Sequence, residues 1–255
     1  RGLSYQSRRL RPMTTASLDD GSVNRRHFLL RRLHSLSGVV PVGAFLVTHL
    51  WTNARAVYGR ESFNHAVGEI QAMPMLAYVE LGAILLPLLF HAGYGFVIAA
   101  QGSANVGRYA YTRNWMYLLQ RVTRVVAFAF IALHLWQYRV QKTLGVMRWQ
   151  DFYGDLASTL NAPVMFAVYL FGITASVFHF ANGLWNFGNS WGITQSPRAM
   201  KHSARLCLAL GLALWGLGFN TLLHFSYRCG GVVPMPEQQV ERACRDADTV
   251  TPGTP

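Results

Sequence analysis

Charge is what this sequence has least of. Lysine, arginine, aspartate and glutamate make up 13% of 255 residues, about half the share of an ordinary soluble domain. With 51% hydrophobic residues beside them, that deficit excludes a water-soluble domain as the body of the chain. Acidic residues number 11 against 23 lysines and arginines, yet the excess of positive charge does not gather into one face or module, so a nucleic-acid surface is excluded as well. Cysteine is scarce: three residues without metal-ligand spacing, which removes a zinc module from consideration. Cys207 falls in an apolar run and is expected to be a small core residue. Cys229 and Cys244 fall in a polar tail, where a disulfide between them stays open.

What the chain does have is long apolar runs, near residues 33–54, 74–100, 116–138, 162–187 and 203–226. Each is long enough to cross a hydrocarbon layer of about 30 Å. The predicted fold class is therefore an all-α membrane protein with five transmembrane helices, the first four forming the bundle that carries a cofactor. Basic residues bracket the runs. Arg25, Arg26, Arg31 and Arg32 precede the first, Arg108, Arg113, Arg121 and Arg124 surround the second connection, and Arg198, Lys201 and Arg205 fill the fourth. The positive-inside bias then puts the N-terminus in the cytoplasm and the C-terminus opposite. Residues 1–24 are expected to form a disordered cytoplasmic tail, 25–228 the five-helix domain, and 229–255 a polar tail on the non-cytoplasmic side. Met13 is the expected biological start, and Arg25-Arg26 resembles a twin-arginine signal only superficially, because the apolar run after it is too long for a signal peptide. The first outer connection is moderately long, the second has the aromatic and polar character of a short interfacial helix, and Pro87 is expected to kink the second span.

Each of the first four runs holds one histidine deep inside it: His49, His91, His134 and His179. An ionisable residue at membrane depth is costly and points to function. At about 1.5 Å of rise per residue, His49 and His134 lie about 24 Å from the cytoplasmic starts of their helices. His91 and His179 lie about 25 Å from the outer starts of theirs, so the four fall into an outer and an inner layer of two. A repeat supports the pairing: His49-Leu50-Trp51 returns as His134-Leu135-Trp136, and His91 with Gly95 as His179 with Gly183. Two imidazoles at one depth supply the two axial nitrogens of a haem iron, and Gly93, Gly95, Gly172 and Gly183 would admit a flat macrocycle or serve helix packing. Hydrogen bonds between helices, or a proton-coupled transporter using intramembrane His and Glu, are the competing readings. Glu80 is the only carboxylate inside the runs; it lies 11 residues before His91, hence on the same predicted helix face, at about the depth of His49. Together with Glu69 nearer the edge it is the expected proton-handling group for a quinone. Arg31, Arg32, Arg121 and Arg124 are the expected partners of haem propionates. His224 is expected at the interface, and His27, His34, His65 and His202 outside the deep layers.

Longer motifs add a resemblance. Arg31-Arg32-Leu33-His34-Ser35-Leu36-Ser37-Gly38, Pro87-Leu88-Leu89-Phe90-His91-Ala92-Gly93-Tyr94-Gly95, Arg113-Asn114-Trp115-Met116 with Leu119-Gln120-Arg121-Val122-Thr123, and Phe178-His179-Phe180-Ala181-Asn182-Gly183-Leu184-Trp185 through Trp191-Gly192-Ile193-Thr194 resemble the single-chain, di-haem cytochrome b anchor of succinate dehydrogenase and fumarate reductase, in its Gram-positive form. The resemblance covers about residues 31–200. It implies two b haems, His91 and His179 binding the one proximal to the hydrophilic subunits, His49 and His134 the distal one. It also implies a flavoprotein subunit with covalent FAD, an iron–sulfur subunit on the cytoplasmic face, a quinone, by resemblance menaquinone, near the outer surface, and the bacterial cytoplasmic membrane as the location.

Overall fold

The computed structural model describes residues 15–102 and 105–226, and these form helices joined by turns, with no strand among them. Five helices are long and apolar enough to cross a membrane: α1 (Arg25–Tyr58), α3 (Leu76–Gln101), α4 (Thr112–Thr143), α6 (Pro163–Ser190) and α7 (Pro197–Ser226). Two further helices, α2 (Arg60–Gln71) and α5 (Phe152–Asn161), lie in the connections. The face where α1 enters is the near face here, and the opposite one the far face. α1 is helical from Thr15, so the last ten residues of the expected tail belong to a helix. The first 14 residues lie outside those described, as do the whole C-terminal tail, Cys229 and Cys244. Cys207 is buried and unpaired in α7, as a core residue should be.

Proline and glycine set the shapes of the spans. Pro41 divides α1 because it has no N–H to give to the previous turn, and the helix resumes over Pro41–Ala54. Pro87 acts differently from a plain kink. It lies just past a π-helical segment, Glu80–Leu85, in which hydrogen bonds reach one residue farther, as from the Leu86 N–H to the Leu81 carbonyl. A second π-segment, Leu135–Val140, follows His134 in α4 with no proline to announce it. Gly59, at φ +95°, makes the turn into α2, a conformation that side chains with a Cβ rarely adopt.

On the far face, α2 and α5 form a cap. Phe63 and Val67 project one turn apart from α2, Leu156 and Leu160 from α5, and they meet Tyr138, Tyr169, Leu222 and Phe225 from the spans in one buried cluster. Each such side chain contributes about 1.5–3 kcal/mol of burial. The second connection thus holds the expected short helix, sunk into a core on one side.

Within the membrane, α1 packs on α3, α6 and α7, α4 on α6, and α6 on α7. Neighbours α3 and α4 are held apart. They meet through side chains: Phe96 edge-on to Phe128 at 5.2 Å, Arg124 Nη1 to the Gly95 carbonyl at 2.7 Å, Arg121 to the Ala99 carbonyl, and Arg139 with Glu80. Their apolar windows are 6% buried each, against 28% in α6 and 33% in α7. The least covered surface of the bundle therefore belongs to the two helices that flank this division.

Candidate functional site

The four deep histidines converge as two pairs. On the near side, His91 of α3 and His179 of α6 have ring centres 6.2 Å apart with planes at 82°. On the far side, His49 of α1 and His134 of α4 are 5.6 Å apart at 76°. The antiparallel order of the spans produces this, and the pairing of first with third and second with fourth run is the one the repeat indicates.

Hydrogen bonds select the tautomers. The Nδ1 of His91 donates to the His34 carbonyl at 2.8 Å, and the Nδ1 of His179 donates to the Gln120 carbonyl at 3.2 Å. A carbonyl only accepts, so both protons sit on Nδ1 and both Nε2 atoms keep their lone pairs. In the far pair, His134 Nδ1 lies 3.4 Å from the Tyr169 hydroxyl, whose own proton is given to Gln137 Oε1 at 2.7 Å. The phenol oxygen is thus an acceptor, and His134 too is protonated on Nδ1. Asn53 donates to the His49 carbonyl at 2.8 Å and reaches the His49 Nε2 at a long 3.4 Å.

This donor set fits a haem. Two metal–imidazole bonds of about 2 Å in line put the ring centres of two axial ligands roughly 6 Å apart, the separation in each pair. Fixing Nδ1–H by a neighbouring acceptor is how metal-binding imidazoles are oriented. Each pair offers two imidazoles, and among the described residues no three His, Cys, Asp or Glu side chains come together as a metal cluster of their own. Arg124 lies against Gly95, where a Cβ would also meet His34 at 3.1 Å, so a guanidinium stands beside the near pair. Arg121 is bonded to the Tyr117 hydroxyl at 2.7 Å as well as to the Ala99 carbonyl. Arg31 donates to Gln101 Oε1 at 2.9 Å, and Arg32 stacks over Trp191 and Phe28.

Comparison with known proteins decides the family. The succinate dehydrogenase cytochrome b558 subunit of Bacillus subtilis (strain 168) is 40% identical to this chain over 200 residues, 78% of this chain and 98% of that protein. The chain belongs to the succinate dehydrogenase cytochrome b family. No family model matches it.

Several side chains of this family member stand where sequence reasoning did not put them. His34, expected outside the deep layers, stacks flat on His91, ring centres 4.1 Å apart and planes 8° apart, while its buried Nδ1 has no hydrogen-bond partner among the described residues. Gly38 makes that approach feasible, since a Cβ there would lie 2.2 Å from the His91 ring. Small residues one turn apart on the first run were the available signal. His224, near the far end of α7, is buried rather than open to the interface: 1% of it is exposed, and its Nε2 is 3.0 Å from the Tyr153 hydroxyl. The α5 cap buries it, and nothing in the polar connection advertises that burial. His27 reaches the Tyr94 hydroxyl at 3.3 Å; His65 and His202 are exposed.

Of the predicted glycines, Gly172 serves packing, because a Cβ would lie 2.1 Å from Phe130. Gly93 faces open space, and Gly183 would meet only Gln120 at 3.5 Å. Of the two carboxylates, Glu80 departs from expectation and Glu69 does not. Glu69 is exposed beside His65 at 3.8 Å. Glu80 does not share the face of His91: the π-segment between them breaks the eleven-residue register, and Glu80 turns to α4. There Arg139 Nη2 meets its Oε2 at 2.9 Å and Lys142 Nζ lies 3.9 Å from its Oε1.

Proposed function

We propose that this chain is the membrane-anchor cytochrome b subunit of a succinate:quinone oxidoreductase, joining an iron–sulfur subunit to a membrane quinone. The observation that carries the reading is the pair of imidazole pairs, at two depths, with ring centres 6.2 and 5.6 Å apart and with Nδ1 facing an acceptor at His91, His179 and His134. His91 and His179 would hold the near haem, His49 and His134 the far haem. Two b haems supply one-electron carriers at two depths, between the iron–sulfur clusters of a partner and the quinone.

The chain's own residues do the positioning. The His34 and Gln120 carbonyls orient the near ligands, and Tyr169 orients His134. Arg124 and Arg121, beside the near pair, are the closest candidates for propionate partners, with Arg31 and Arg32 farther along the same face. Two carboxylates serve the quinone end on the far face: Glu80, held by cations, and Glu69, open to water, which exchange the protons that quinone reduction consumes. The near face, with its arginines, lies in the cytoplasm by the positive-inside bias. There it receives the iron–sulfur subunit and, through it, a flavoprotein with FAD that performs the dicarboxylate chemistry. The residues 25–228 form the functional unit within a bacterial cytoplasmic membrane, and by resemblance the quinone is menaquinone. The same parts serve a quinol:fumarate reductase when run in reverse.

Purification of the intact complex from membranes tests this. Two b-type haems per chain in the reduced-minus-oxidised spectrum are expected, together with succinate- and fumarate-linked turnover with menaquinone or ubiquinone analogues. A spectrum without a b-type signal overturns the reading and favours an intramembrane proton carrier.

A further inference from the structure

Four side chains on the far face form a charged group that sequence reasoning touched only through Glu80. Arg139 and Lys142 of α4 converge on Glu80 of α3, and Lys142 Nζ also donates to Gln71 Oε1 on α2 at 2.7 Å. Two cations share one carboxylate, so one positive charge is in excess. Partly buried side chains hold it: Glu80 and Lys142 are each 22% exposed, Arg139 40%. Ionisable groups within a membrane span pair with one another and by default mark a functional site.

The two cations differ in how they are held. Arg139 is anchored at both terminal nitrogens, to Glu80 and to the Thr143 hydroxyl. Lys142 carries three N–H donors; one goes to Gln71 at 2.7 Å, Glu80 lies at the ion-pair distance of 3.9 Å, and among the described residues no other hydrogen bond holds the ammonium. The backbone beneath the group is irregular on both sides. Glu80 opens the π-segment of α3 and Arg139 lies in that of α4, and π-segments are frequent at functional sites. Lys142 is eight residues beyond His134, about 12 Å along α4. The group therefore stands over the far end of the division between α3 and α4, above the far histidine pair.

Resting on the quinone reading above, we propose that Lys142 is the quinone-binding residue of the far site, its free N–H donating to one carbonyl oxygen of the ring, and that Arg139 is a positioning residue that fixes the Glu80 carboxylate beside it. Reduction of that quinone takes two electrons and two protons. Oxidation of succinate to fumarate on the partner subunit supplies the electrons, and far-side water reached through the carboxylates supplies the protons. An electron-rich oxygen of a lipid phosphate would satisfy the same N–H, and the test separates the two.

In membranes containing the whole complex, K142Q is expected to raise KM for a menaquinone analogue about 10- to 100-fold, the loss of one hydrogen bond to a charged donor. Both haem bands and succinate oxidation by a soluble dye that bypasses the quinone should stay unchanged. K142R should recover most of the loss, and R139Q should lower kcat more than it raises KM. Q71A, which leaves the charges in place, is expected to raise KM by a smaller factor and guards against a K142Q chain that does not assemble. Unchanged KM in K142Q and Q71A with both haem bands intact overturns the proposal and leaves the lysine to lipid. Wild-type complex whose far haem spectrum does not respond to a quinone-site inhibitor would instead refute the quinone reading itself.

Discussion

The near and far histidine pairs look alike in separation and ring angle, but they are built from different material. Main-chain carbonyls of His34 and Gln120 hold both Nδ1 atoms of the near pair, at 2.8 and 3.2 Å. Gln120 also returns a side-chain bond, from its Nε2 to the His179 carbonyl at 3.0 Å. In the far pair both contacts on the rings come from side chains at 3.4 Å: the Tyr169 oxygen accepts from His134 Nδ1, and the Asn53 amide N–H faces His49 Nε2. A main-chain acceptor is set by helix packing and survives most substitutions. A side-chain acceptor is individually replaceable and makes a ligand whose basicity can be tuned. The rigid pair faces the proposed protein donor, and the tunable pair lies beneath the charged group assigned to the quinone.

The largest effect that would break this division comes from the ligands themselves. His49→Ala or His134→Ala is expected to reduce the haem count from two to one, with the near haem's band retained in the difference spectrum of the purified complex. His179→Ala should do the reverse. Loss of both haems, or of neither, from either far variant would show that the pairs are not separate sites.

Next in size is a steric test confined to the near pair. A Cβ on residue 38 would lie 2.2 Å from His91 Cε1 and 2.5 Å from its Nδ1, and that ring is held by the His34 carbonyl at 2.8 Å and by the stacked His34 ring. Gly38→Ala should cost about 1–3 kcal/mol, as overpacking does, and should deplete the near haem selectively. Equal depletion of both haems would mean that the collision is absorbed by α1 as a whole.

A smaller change sharpens the contrast in building material. Tyr169→Phe removes the acceptor at His134 Nδ1 without changing ring packing against Phe130, 5.1 Å away. Loss of such an orienting partner typically weakens metal binding about 10-fold or more, so the far haem should dissociate more readily in detergent and its midpoint potential should move. The near potential should not. A far potential unmoved by Tyr169→Phe would count against a side-chain origin for its tuning.

The spans and the pairing were legible in the sequence because both follow from coarse regularities: run length, antiparallel order and a fixed rise per residue. Those regularities survive small local errors. They failed at Glu80, where a π-segment shifted the register, and the proline that signals one such segment has no counterpart before Arg139. Lys142 was overlooked for a related reason: it reads as a loop cation after the third run, yet α4 continues as a helix to Thr143. His224 and His34 were misplaced because burial of a polar ring depends on which distant element covers it. The α5 cap covers the one and the His91 ring the other, and neither contact has a local pattern.

The smallest predicted effect concerns a titratable group specific to the far region. Asp155 of α5 lies under the far cap, where burial pushes its carboxyl above the ordinary aspartate range and the Tyr138 hydroxyl offsets part of that rise. Tyr138 is itself 8% exposed, packed 5.2 Å from the His134 ring. An acid whose folded pKa is raised favours the folded state while protonated, below its unfolded value of about 3.9. That contribution is lost as pH rises through the folded value, so at neutral pH the ionised group is a cost to the cap. Asp155→Asn removes the charge and keeps a polar partner for Tyr138. The far haem should then be retained slightly longer on warming at pH 7, and its thermal retention should decline less between about pH 4 and 7 than in the unaltered chain. The near haem should respond to neither change, because the groups that orient its ligands, the His34 and Gln120 carbonyls, lie on α1 and α4. Parallel pH curves for the two chains would place the far region's titration elsewhere and leave the cap's contribution to the His134 setting purely one of packing.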